Sequence, residues 1–160
     1  METGELIELH AHILPQMDDG SESVEMSLAM LQALAGMGVG TVCATSHYYA
    51  RENSVTMYLA RRAAALNALR SAIPAGSSLP RLLPAAEAAY FRGMEEHHPE
   101  RLCIENTRTL MLEMPFSEWT DQQVETVAVL SLDLHFNVVL VHPERFCFSS
   151  SNCRRLEELA

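Results

Sequence analysis

The chain is 160 residues long, 48% apolar, and carries a formal net charge of −10. Its length bounds one domain with room for a substantial core, and its acidity argues against a nucleic-acid backbone or an anionic membrane as partner. All eleven basic residues are arginines, which excludes a P-loop lysine and a lysine Schiff base.

The opening stretch, Met1 to Glu5, is acidic and lacks the basic and apolar regions of a signal peptide, so none is expected. No apolar run approaches the roughly 20 residues needed to span a bilayer. Cys43, Cys103, Cys147 and Cys153 form no C-x-x-C pair. Without an export signal, they are expected as reduced thiols in a cytoplasmic protein.

The first predicted strand, Leu6 to His12, ends in two histidines spaced i, i+2. A strand sends alternate side chains to one face, so His10 and His12 project together. The next loop carries Asp18-Asp19-Gly20, and adjacent carboxylates beside paired imidazoles suit a divalent cation. Ser21 to Glu25 supplies N-cap candidates and early acids. Val24, Leu28, Leu31, Leu34 and Ala35 then recur at helical spacing. Glycines at 36, 38 and 40 end that helix. Thr41 to Thr45 reads as a buried strand running into Ser46-His47, with Cys43 as a small buried hydrophobe.

Val55 to Ala72 is a second predicted helix, broken by Pro74 to Pro80. Leu82 to Ala86 is a short run leading to Glu87. Gly93 to Arg101 is charged and reads as a loop or short helix, with His97 and His98 expected in solvent. Leu110 to Leu112 is a strand ending in Glu113. Trp119 to Leu134 is a third helix, and Phe136 to Val141 is a strand ending in His142-Pro143-Glu144-Arg145. Arg154 to Leu159 opens one more helix. The nine methionines fall mostly on helix faces and read as core filler.

Strands alternating with helices imply βαβ units and a parallel sheet or barrel. The important regularity is at the strand ends: His10 and His12, then His47, Glu87, Glu113 and His142. Parallel strands closed into a barrel gather their C-terminal ends on one face, where barrel enzymes keep their chemistry. Histidine and glutamate are poorly suited to fill apolar space without a partner. A metal centre explains the set better than packing does.

These residues resemble a known family. His10-x-His12, the Asp-Asp-Gly loop, Ala44 to His47, Glu87, Leu112 to Phe116 and Val141 to Arg145 are similar to the polymerase-and-histidinol-phosphatase (PHP) domain. The phrasing H-x-H-x-L-P-x-x-D-D-G and H-P-E-R-F is nearest to the bacterial metal-dependent protein-tyrosine phosphatases of capsule and exopolysaccharide synthesis. The resemblance covers residues 6 to 146 and implies a distorted (β/α)7 barrel with up to three divalent metals, manganese first and iron, cobalt or zinc as alternatives. By it, His10 and His12 ligate one metal, Glu87 bridges to a second completed by Glu113 and His142, and Asp19 and His47 contribute to a third. Arg145 and Arg51 are the residues it suggests for phosphate oxygens, through guanidinium hydrogen bonds. The implied activity is hydrolysis of phosphotyrosine on a bacterial tyrosine kinase by metal-activated water.

Family members continue for several more βα units and supply a late Asp-x-His. No such motif comes after His142, and Asp133-Leu134-His135 lies in the predicted helix before the last strand. The chain is therefore expected to cover about the first five βα units as a single PHP domain over residues 1–160, with open strand edges that favour a homo-oligomer. Two other readings use the same residues. One is a small-molecule phosphoesterase of the histidinol-phosphate kind; the other is a non-catalytic metal-binding remnant. A cysteine phosphatase loop is the weakest fit, because Arg154 falls one residue too far from Cys147 for C-x5-R.

Overall fold

Strands and helices alternate along the chain; β-branched residues mark the strands over Val39–Tyr48 and Asn137–Val141, whereas the alanine- and leucine-rich strand over Arg81–Ala89 forms against its local propensity. The computed structural model describes residues 6–159. Its contacts divide the chain into two compact units, the boundary falling between Ala86 and Glu87.

The first unit holds β1 (Leu6–Ala11), α1 (Val24–Gly36), β2 (Val39–Tyr48), α2 (Val55–Ala72) and the start of β3 (Arg81–Ala89). β1 and β2 pair in parallel. Their register is irregular: Glu8 and Ala11 oppose Val42 and Ala44, so β1 carries an extra residue beside His10. Extra residues of this kind re-aim side chains next to functional sites. Ser23 caps α1 by accepting from the Met26 amide at 3.2 Å, and Ser54 caps α2 through the Met57 amide at 3.3 Å. The α2 bounds are those its sequence predicts. Tyr58, on α2, is 2% exposed, and its hydroxyl donates to the Ser46 carbonyl at 2.9 Å. That bond ties the helix to the end of β2. Val42, Cys43, Ala44, Leu31, Leu66 and Leu69 fill the interior beneath it.

The second unit holds the end of β3, then β4 (Thr109–Glu113), α3 (Asp121–Ala128), β5 (Asn137–Val141), α4 (Pro143–Phe146) and α5 (Ser150–Leu159). β3 pairs with β4 in parallel, as does β4 with β5. Glu87 lies level with Met111, and Ala89 with Glu113. The two glutamates therefore share one sheet face, one pleat apart. Thr120 and Gln123 form a reciprocal capping box at α3.

Asn152 is a fastening the sequence does not announce. Fully buried on α5, it accepts from the Trp119 amide at 2.9 Å. It donates to the Ser117 and Phe146 carbonyls, each at 3.1 Å. This one amide holds α4, and with it the His142 to Arg145 segment, against the unit's interior. Asn152→Ala is expected to lower unfolding stability by about 2–3 kcal/mol, the penalty for leaving buried backbone groups unpaired. Urea denaturation of the two proteins measures it.

Three expectations need correction. Glu87 lies inside β3 and not after a strand ending at Ala86, because the run of small residues continues the buried strand to Ala89. The helix expected to reach Leu134 is α only to Ala128; a π turn spans Val129–Asp133, and His135 takes a left-handed backbone. Met94, Met111 and Met114 are core, but Met26, Met37 and Met57 are 46%, 71% and 61% exposed. These last three lie on or next to the outer faces of α1 and α2, which periodicity alone does not distinguish. His97 and His98 are exposed, as expected.

Candidate metal centre

In the first unit the histidines meet as the strand pattern predicts. His12 and His10 approach through their Nε2 atoms at 3.2 Å. Two nitrogens each about 2.1 Å from a shared cation lie roughly 3.0–3.4 Å apart for octahedral to tetrahedral angles, so the pair has the spacing of two ligands on one ion. The His12 and His47 rings lie 4.6 Å apart between centroids. His47 Nε2 faces Asp19 Oδ1 at 3.5 Å, with Asp19 itself 83% exposed. Neutral imidazole nitrogen and carboxylate oxygen suit the divalent ions of the manganese-to-zinc series, so these residues fit the implied metals.

Asp18 stands behind this group with its side chain only 6% exposed. Oδ2 accepts from His12 Nδ1 at 2.9 Å and from the His47 amide at 2.9 Å; Oδ1 accepts from the Gly20 amide at 3.1 Å. Burial alone would push this carboxyl up, but the His12 hydrogen bond and the His47 and Gly20 amides outweigh it and hold it below the usual range. Gly20 is needed for contact, since a Cβ there would lie 2.2 Å from the His12 carbonyl oxygen and 2.3 Å from its Cβ.

A cavity of about 300 Å3 opens beside Asp19 and His47, walled by Tyr49, Asn53, Tyr58 and Arg61. The Tyr49 ring stacks on His47 at 5.2 Å. Arg51 is exposed in the turn after β2. A roomier hollow in the second unit is lined mainly by aliphatic side chains from residues 127–132, β5 and α5, with Ser131 and Glu158 as its polar members.

In the second unit Glu87 is fully buried, and His142 Nε2 lies 3.0 Å from its Oε1. A buried carboxylate requires a partner, and His142 supplies one. Arg145 Nη1 lies 3.4 Å from Glu113 Oε1, and its guanidinium sits over the Phe116 ring at 5.4 Å. The structure thus brings Glu87 to His142 and Glu113 to Arg145, while Arg51 has no comparable setting.

His142 has φ 55°, a left-handed conformation that costs roughly 1–2 kcal/mol in a non-glycine residue. Such strain is often a mark of function, but here the cause is local. His98-Pro99-Glu100-Arg101 repeats the same four residues, and His98 has φ 57°. In both copies proline opens a short helix. The histidine Nδ1 lies near the glutamate two residues on, at 3.0 Å from Glu100 and 3.3 Å from Glu144. Proline disfavours the right-handed region for the residue before it, and in both copies the left-handed histidine comes with the imidazole–glutamate contact instead of extended backbone. The His98 copy is exposed, so the strain belongs to the tetrapeptide and not to a metal site.

The cysteines do not form a nucleophilic loop. Burial pushes the Cys43 thiol up and the Cys103 thiol up to about 11. Desolvation and the Cys153 thiol raise that of Cys147. Little thiolate is present at neutral pH in these three, and iodoacetamide at pH 7.5 is expected to leave Cys43 and Cys103 of the folded protein unmodified, as read by mass spectrometry. The Cys103 pKa exceeds the unfolded value of about 8.5. Its stabilising contribution is therefore complete below that pH and lost as pH rises towards 11.

Residues 6–160 match the family model for capsular polysaccharide synthesis, CpsB/CapC. A tyrosine-protein phosphatase of Bacillus subtilis (strain 168), YwqE, is 30% identical over 148 residues, 88% of this chain and 55% of the relative. The chain also superposes on a solved structure with a TM-score of 0.79 and 26% identity, covering 96% of this chain and 62% of that one. That structure comes from work on YwqE of Bacillus subtilis and CpsB of Streptococcus pneumoniae, described as unique metal-dependent tyrosine phosphatases. The chain thus spans somewhat over half the length of these relatives. No described helix is long and apolar enough to cross a membrane.

Proposed function

Because the chain belongs to the CpsB/CapC family of capsular polysaccharide synthesis, we propose that it acts as a metal-dependent protein-tyrosine phosphatase on a tyrosine kinase of that pathway. The observation that carries this reading is the His10–His12 pair, whose Nε2 atoms stand 3.2 Å apart at the end of a strand. In this reading residues 1–160 belong to one PHP-type distorted (β/α)7 barrel. His10 and His12 hold one ion, Glu87 bridges to a second with Glu113 and His142, and Asp19 and His47 serve a third. Manganese is the first choice of metal. The setting is cytoplasmic, and the working form is a homo-oligomer.

Divalent ions bound there supply Lewis-acid polarisation of phosphoryl oxygens and an acidified water at neutral pH. The chain's own residues do the rest. Glu87 and Glu113 offer carboxylate charge from one sheet face, and the imidazoles offer neutral nitrogen. Arg145 orients phosphate oxygens through its guanidinium fork, exchanging its contact with Glu113 for the anion, and Arg51 assists from the exposed turn.

The test compares a phosphotyrosyl peptide with histidinol phosphate on manganese-loaded protein. Higher kcat/KM for the peptide is expected. Preference for the small substrate would replace the protein-phosphatase reading with the phosphoesterase one.

A further inference from the structure

We infer that Asp18 is a positioning residue for His12, fixing its tautomer and ring angle so that Nε2 presents a lone pair for a divalent cation. The inference rests on the metal-dependent reading above, in which His12 is a ligand and Asp19 supplies the loop's metal-binding carboxylate.

Both Asp18 oxygens are committed within the protein. Oδ2 takes the His12 Nδ1 and His47 amide bonds and Oδ1 takes the Gly20 amide. A carboxylate accepts only, so the His12 nitrogen facing it at 2.9 Å must be the N–H. A neutral imidazole has one N–H, and Nε2 is left with its lone pair on the side of His10. Metal-bound histidines characteristically donate their other N–H to such a carboxylate, which also raises ligand basicity.

The same carboxylate ties the ends of two strands together. It holds the ring of a residue just past β1 and the backbone of His47 in β2, so both histidines are set by one group. Gly20 lets the loop close tightly enough for this, and the Ser21 amide completes the closure by donating to the His12 carbonyl at 3.0 Å. Asp19, mostly exposed, makes no comparable set of bonds. Adjacent aspartates thus divide the work, one turned inward to orient and one outward to bind.

The experiment uses the chelator-stripped 160-residue protein and its Asp18→Ala and Asp18→Asn variants. In metal-free wild type, long-range proton–nitrogen spectra at pH 8 are expected to show His12 as the Nδ1–H tautomer. In Asp18→Ala that preference is lost, and manganese binding by calorimetry weakens about 10- to 100-fold. Asp18→Asn keeps the side-chain shape and serves should the alanine variant unfold; it too is expected to bind manganese at least about 10-fold more weakly. A wild-type His12 in the Nε2–H form, or an unchanged manganese affinity in a folded variant, overturns the inference. The tautomer measurement needs neither metal nor substrate, so it decides the role of Asp18 even if the protein proves to hydrolyse no phosphate ester.

Discussion

Glu87→Gln is expected to abolish metal-dependent phosphate ester hydrolysis while leaving the protein folded. The glutamate side chain is wholly buried and faces His142 Nε2 at 3.0 Å. Glutamine keeps its size and one acceptor oxygen but removes the negative charge that the proposed bridging role requires. A metal pair contributes several kcal/mol of charge stabilisation to the transition state, so losing it costs about 10³-fold in kcat/KM or more. Folding should tolerate the change, because the isosteric amide keeps a hydrogen-bonding group in front of His142 Nε2. Manganese-dependent hydrolysis and circular dichroism measure the two halves of this prediction. A folded variant with full activity would remove Glu87 from the bridging position.

Gly20→Ala is expected to damage both stability and metal binding. Its added Cβ would sit 2.2 Å from the His12 carbonyl oxygen and 2.3 Å from the His12 Cβ. Neither atom is the movable end of a side chain, so the loop or the end of β1 must shift. Overpacking against fixed backbone costs about 3 kcal/mol, which lowers the melting temperature by roughly 6–12 °C in a chain of this size. The shift also pulls the Gly20 amide from Asp18 and loosens the hold on His12. Thermal melts and manganese titration check both effects. A variant that melts and binds like wild type would mean that the loop has slack the close packing denies.

The parts of the site that depend on local periodicity were legible in the sequence. A strand spacing brings the His10 and His12 Nε2 atoms to 3.2 Å, and α2 occupies the span that its Val55 to Ala72 run and the proline-bounded break after it predict. Other features depend on contacts distant in sequence. The family resemblance singles out Asp19, but the orienting part of Asp18 shows only in the approach of His12 and the His47 amide to its carboxylate. Asn152 lies before the helix predicted from Arg154 and looks like an ordinary polar residue; the structure starts that helix at Ser150 and sets Asn152 against Trp119 and Phe146. The extra residue of β1 beside His10 is a property of pairing with β2. The left-handed His142 is a local feature, since His98-Pro99-Glu100-Arg101 is a second copy of the same tetrapeptide with the same backbone turn.

The most direct test is hydrolysis of a chromogenic aryl phosphate by the purified 160-residue chain, stripped with a chelator and then re-supplied with manganese. Activity lost on stripping and restored by the ion is the predicted result. A folded protein with no turnover under manganese, iron, cobalt or zinc would contradict the assignment of this chain as a metal-dependent phosphatase.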